Sequence, residues 1–219
     1  MDIETDKTAY NDDFLKQLLK LSKDNIIARE NTRTFWTNKK KDNPQAEAML
    51  LNTKYEIYEL LSEKTPEERL AIFKSLENYF EHMSYMCQMH RLKGNSIVEI
   101  EPILGMRMAA CRNVERLYFE TLADHFVSLS SKALWASNEV DYKKEVSKIR
   151  KELSEIVPEE KQRLKNALRI RNRNLQERAE QSLSVDEYAL AEQESKACKL
   201  LTYVSADLAD EEQVDIPCK

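Results

Sequence analysis

Glycine is nearly missing from this chain. Only Gly94 and Gly105 occur in 219 residues, where average usage near 7% would give roughly 15. Glycine supplies the positive backbone dihedrals of tight turns, hairpins and phosphate-cradling loops. A chain that has discarded it is poor in those features. Nucleotide-binding glycine loops and the G-x-S-x-G elbow need glycines close together, and these two lie eleven residues apart. Histidine is also scarce. His82, His90 and His125 form no H-E-x-x-H, and no E-x-x-H precedes any of them, which removes the helical zinc and di-iron patterns. Asp124 and His125 are adjacent, and neighbours on a helix diverge by about 100°, a poor geometry for a dyad. Cys87, Cys111, Cys198 and Cys218 make no C-x-x-C pair in a chain too large and too helical for a disulfide scaffold. No apolar run approaches the roughly 18 residues of a membrane span. The start, Met1-Asp2-Ile3-Glu4-Thr5-Asp6, is acidic with no apolar core, so no secretory signal is expected there.

What remains is helical periodicity. The chain is 42% hydrophobic and 33% charged, a balance that suits amphipathic helices rather than disorder. Asn11-Asp12-Asp13 can cap a first helix carrying Phe14, Leu18 and Leu21 with Leu15, Leu19 and Ile26, a pattern that extends towards Phe35 and Trp36. Asn43-Pro44 opens a second, with Ala46, Leu50, Ile57 and Leu61 inward. Thr65-Pro66-Glu67-Glu68 is a capping box. Behind it Phe73, Leu76, Phe80, Met83, Cys87 and His90 repeat at 3-4 spacing, widened by Ile72, Tyr79 and Met86. Lys93-Gly94-Asn95 fits a left-handed helix stop. Ser96 to Glu101 is the one segment with strand-like β-branching.

A long helix is expected from about Pro102, with Leu104, Met108, Cys111, Tyr118, Leu122, His125 and Leu129 buried and the pattern continuing towards Trp135. Tyr142, Val146, Ile149, Leu153 and Ile156 repeat the spacing up to Pro158, which kinks one helix or restarts another. Ser184 and Glu187, with Leu183 and Tyr188, form a capping box and staple for a last helix that turns Leu190, Ala197, Leu201 and Val204 inward. The expected fold is all-α, a bundle of five to seven antiparallel helices with a helical C-terminal extension. Its expected organisation is a main bundle over residues 1–136, a C-terminal helical region over 137–206 packed on it, and an acidic flexible tail over 207–219.

Three constellations carry functional readings. His82, Met86 and His90 recur at i, i+4, i+8, with Met106, Met108 and Cys111 on the next helix, a soft donor set of the kind monovalent copper takes. Methionine at helical spacing is more commonly core filling, so no metal and no cofactor is expected. Tyr85, Met89 and Leu92 fall at i, i+4, i+7 opposite the main stripe. A helix apolar on both sides is either central to its fold or offers a second face to a partner. Self-burial is the more common outcome in a chain this long, and these three residues are the first candidate partner-binding face. Lys165, Arg169 and Arg173 align at i, i+4, i+8 as a basic stripe, the second candidate. From Lys161 to Arg178 seven basic residues stand against one acidic, and from Ala179 to Lys219 ten acidic residues stand against three basic. The commoner fate of such a stripe is to meet the chain's own acidic helix. An acidic protein partner ranks next. Nucleic acid ranks last, because no aromatic residue interleaves for stacking and the net charge is −5.

The tail from Asp207 to Lys219 places Cys218 one residue from the end, so the four-residue prenylation box is not met. Its glutamate-rich stretch, Asp210-Glu211-Glu212 followed by Val214 and Ile216, resembles in composition the export signals of substrates of some bacterial secretion systems. That resemblance implies a secreted effector; no other part of the chain resembles a known family. The reading is a non-catalytic, cytoplasmic protein-interaction module, of adaptor, chaperone-like or scaffold type, with protein partners and no membrane span. It leans away from an enzyme. A helical-bundle enzyme or small-ligand sensor is the alternative, followed by a secreted bacterial effector or a nucleic-acid-associated protein.

Overall fold

A computed structural model of the protein describes residues 12–33, 42–93, 100–181, 188–189 and 192–201. The fold is all-α. Six helices follow one another among the described residues: α1 (Asp12–Asn31), α2 (Pro44–Ser62), α3 (Pro66–Leu92), α4 (Ile100–Leu134), α5 (Glu139–Ser154) and α6 (Pro158–Gln181). Residues 192–201 are helical as well.

The caps explain most of the boundaries. The Asn43 side chain accepts from the Ala46 amide at 3.2 Å, and Pro44 takes the first turn of α2, where a missing N–H costs nothing. The Thr65 hydroxyl accepts from Glu68 N, and the Glu68 carboxylate accepts from Thr65 N at 2.8 Å, so the capping box forms reciprocally. Asn138 caps α5 through the Asp141 amide at 2.9 Å. α5 and α6 are separate helices, and Pro158 begins the second one.

The long central helix begins at Ile100, so Ile100 and Glu101 are helical rather than extended. Pro102 is accommodated because the first turn has no intrahelical N–H bonds to lose. β-branching is a weak preference that a helix docked on its neighbours overrides. α3 ends at Lys93 with φ −80°. The expected left-handed stop at Gly94-Asn95, the remainder of the strand-like segment, the Phe35–Trp36 extension, the Ser184–Glu187 capping box and the acidic tail lie outside the described residues.

The chain divides into two compact units, Met1–Tyr118 and Phe119–Lys219, and the division falls inside α4. Residue 136, the expected edge of the main bundle, sits in the turn between α4 and α5.

In the first unit α1 and α2 run antiparallel. The Asn25 amide group meets the Leu50 carbonyl at 3.1 Å, while Lys64 Nζ sits 5.0 Å above the Phe14 ring. α3 and α4 are antiparallel too, with Phe73 against Tyr118 and the Arg112 guanidinium 3.9 Å from the Phe80 ring centroid. Leu18, Ile57, Leu61, Ile72, Leu76, Met83 and Val114 are buried here. In the second unit Ala123, Phe126, Ile149, Leu153, Leu164, Leu175, Ala197 and Leu201 are buried. His125 Nε2 meets Glu152 at 2.8 Å and ties α4 to α5.

Burial along α4 is broader than one stripe. Leu117, Tyr118 and Phe119 are all buried, and three consecutive side chains fan across roughly 200° of a helix. Two expected members of its buried face are corrected. His125 is exposed, because its ring reaches out to Glu152, and Trp135 is 69% exposed past the last turn of α4. Tyr79, Met86 and Tyr142 are likewise exposed, so the α3 stripe is widened at Ile72 alone.

Candidate interaction surfaces

α3 is packed along its first half and bare along one side of its second. Ile72, Phe73 and Leu76 are buried, whereas Tyr85 is 56% and Leu92 81% exposed, with Met89 half-buried between them. The expectation that this second face is self-buried is therefore corrected. Between Ala110 and Ala133 α4 is buried around much of its circumference, whereas α3 keeps Tyr85 and Leu92 at the surface. The antiparallel register adds a fourth residue. Nine residues on from Phe80 along α3 is Met89, and nine back from Arg112 along α4 is Ile103, which is 57% exposed. Tyr85, Met89, Leu92 and Ile103 thus belong to the same end of the α3–α4 pair.

Lys165, Arg169 and Arg173 are all exposed on α6. The described part of the chain's own acidic helix, residues 192–201, makes no ion pair with them. Its Glu194 lies 3.5 Å from Arg171 Nη2, and its Ser195 hydroxyl donates to Asn172 at 3.0 Å. Arg171 is displaced by roughly 200° around α6 from Arg169 and Arg173. It also pairs with Asp124 of α4, so one guanidinium links α4, α6 and residues 192–201. For the described residues 192–201 the expectation that the stripe faces the acidic helix is corrected: their contact is made by Arg171, on the opposite face. Among the described residues no ion pair engages Lys165 or Arg169, and Arg173 reaches only the exposed Glu177 at 3.8 Å.

His82 and Met86 are exposed, Met83 is core, and Cys111 is buried, its thiol pushed up to about 11 by desolvation. Cys198 is buried and raised by desolvation, with Arg171 opposing and Glu194 adding to the shift. Among the described residues no group of three or more His, Cys, Asp or Glu side chains is arranged to hold a metal ion.

A buried polar network escapes the hydrophobic pattern altogether. Asn25 donates to the Leu50 carbonyl and, at 3.0 Å, to the Thr53 hydroxyl, while its own oxygen accepts from Arg29 at 3.3 Å and Asn113 at 3.4 Å. Asn113 donates to the Ser22 carbonyl at 3.3 Å, and its oxygen takes Arg116 Nε at 3.0 Å and Arg29 at 3.4 Å. The Ser22 hydroxyl donates to the Ala110 carbonyl at 2.7 Å. Both carboxamides use all their donors and acceptors, which is what makes such burial tolerable. Its sequence signal is the gap in each stripe. Ser22 and Asn25 continue the spacing from Leu18, and Thr53 falls between Leu50 and Ile57.

No helix among the described residues is long and apolar enough to cross a membrane. The chain matches no protein-family model, no curated protein and no solved structure.

Proposed function

We propose that this chain is a non-catalytic protein-interaction module, an adaptor, chaperone-like or scaffold component that engages a protein partner through the exposed end of α3. One observation carries the reading: Tyr85 and Leu92 stand in solvent beside Met89 on a helix whose opposite face is already packed. Tyrosine and methionine are enriched in interface centres, where they bury large area at small conformational cost. Burial of this face drives association by removing apolar surface from water, so binding survives high ionic strength.

The test is affinity purification from the native host at low and high salt, with the wild type and with Tyr85→Ala/Met89→Ala. The expected result is a stoichiometric protein partner that persists at high salt and is lost from the double variant, whose melting temperature stays near that of the wild type. A partner that binds the double variant normally, yet is lost on charge reversal of Lys165, Arg169 and Arg173, overturns the assignment to α3. So does a double variant that unfolds.

A further inference from the structure

The basic stripe of α6 is a charged surface whose only ion pair among the described residues is the long contact of Arg173 to Glu177. Lys165 and Arg169 are exposed and unengaged by any carboxylate among the described residues, and Arg173 has only a long contact to Glu177. The one acidic group that residues 192–201 deliver to α6 is spent on Arg171, on the other face. Beyond Leu201 the sequence supplies the missing sign in quantity: Asp207, Asp210, Glu211, Glu212 and Asp215 occur within nine residues that hold no lysine or arginine.

We propose that the acidic segment 207–215 of the same chain docks on the Lys165–Arg169–Arg173 stripe and acts as its intramolecular cover. The geometry permits it. Glu194 is held beside Arg171, and Leu201 lies seven helical residues further on, about 10 Å along the axis. Asp207 follows six residues later, within about 20 Å of extended chain, and Asp215 eight beyond that. The stripe itself spans about 12 Å along α6, shorter than the extended chain that separates Leu201 from Asp215. A tether this short gives an effective concentration on the order of millimolar. Weak, screened charge pairs are then enough to keep the segment in place without excluding a stronger acidic competitor.

Lys165 is the reporter, because a carbodiimide joins a lysine amine to a carboxylate that touches it. The full chain is treated with carbodiimide at low salt, the monomer is isolated, and tryptic peptides are mapped by mass spectrometry. The expected product is Lys165 linked to the peptide 200–219 through a carboxylate of the acidic segment. The link disappears at about 0.5 M salt, and in Arg169→Glu/Arg173→Glu, which leaves Lys165 in place. A second variant, Asp210→Asn/Glu211→Gln/Glu212→Gln, alters nothing among the described residues, and in it the links from Asp207 and Asp215 fall about fivefold. Three results overturn the proposal. One is absence of the link in wild type, which assigns the stripe to a separate acidic protein or to nucleic acid. Another is a link confined to covalent dimers, which assigns it to a second copy. The third is a link unchanged when the three tail carboxylates are neutralised.

Discussion

Asn25 and Asn113 show how much a single polar residue can decide in an otherwise apolar unit. Each is almost wholly buried, and each bonds to a different helix with both ends of its carboxamide. A leucine at either place would fill the volume but leave the other asparagine's buried carboxamide short of a partner, and an unsatisfied buried polar group costs more than its hydrogen bond is worth. The cysteines make the complementary point about apolar burial. Cys111 and Cys198 are buried, whereas Cys87 is partly open. Replacing Cys111 with serine is expected to cost about 1–3 kcal/mol, because the hydroxyl enters an apolar site, and Cys87→Ser is expected to cost less. The Cys111 thiol adds a pH dependence whose sign is fixed. Its folded value stands near 11 against 9.0 for the free group, so between those values the native state holds more protons than the unfolded chain, and stability falls as pH rises through that window. Denaturant melts at pH 8 and pH 10.5, compared with Cys111→Ala, check this. The wild type should lose more stability over the interval than the variant, and an equal loss refutes the assignment.

At the scale of the element, helix starts were legible because capping is local chemistry. Asn43-Pro44 and Thr65-Pro66-Glu67-Glu68 lie at their helix starts with the expected side-chain-to-amide bonds. The Thr65 box is the easiest to test. Thr65→Ala removes the acceptor for Glu68 N and is expected to cost about 0.5–2 kcal/mol, readable as a lower midpoint in a urea melt. Glu68→Ala should cost a similar or smaller amount, and no change in either would mean the box contributes nothing. Which face of each helix is buried was less legible, for a physical reason. A 3-4 pattern locates an apolar stripe but not the number of neighbours around it. α3 has two apolar faces in sequence and buries one through its second half. α4 spreads its apolar residues around the circumference, so its stripe looked unremarkable although it is the more completely enclosed helix. Trp135 and His125 were assigned inward by spacing alone. The first lies past the end of α4, and the second has a carboxylate of α5 to reach for. Of the candidate surfaces, the sequence named the residues but not their exposure, and it missed the Ser22–Asn25–Thr53–Asn113 network because polar residues inside an apolar stripe read as interruptions.

At the scale of the whole molecule, the question is whether the two units unfold together. The division between Tyr118 and Phe119 interrupts neither the backbone nor the helix, since α4 runs unbroken from Ile100 to Leu134. Fraying α4 in one unit removes the support of its next turns in the other, because helix propagation is cooperative along the chain. The expectation is a single cooperative transition. Two buried thiols report on it without added probes. Cys111 lies in the first unit and Cys198 in the second, and both are about 2–3% exposed. A buried thiol reacts with a disulfide reagent only through an open state, so at slow reagent rates its labelling measures the free energy of that opening. Ile57→Ala, in α2 of the first unit, deletes a fully buried side chain and should cost about 2–4 kcal/mol. If the units open together, protection at Cys111 and at Cys198 falls by the same factor. If Cys111 loses protection while Cys198 keeps its own, α4 yields near Tyr118 and the units open separately. The same experiment with Arg171→Met, which leaves Asp124 and Glu194 facing each other without their shared cation, runs the argument from the second unit towards the first. Equal losses at both thiols in both variants are the outcome that one continuous helix requires.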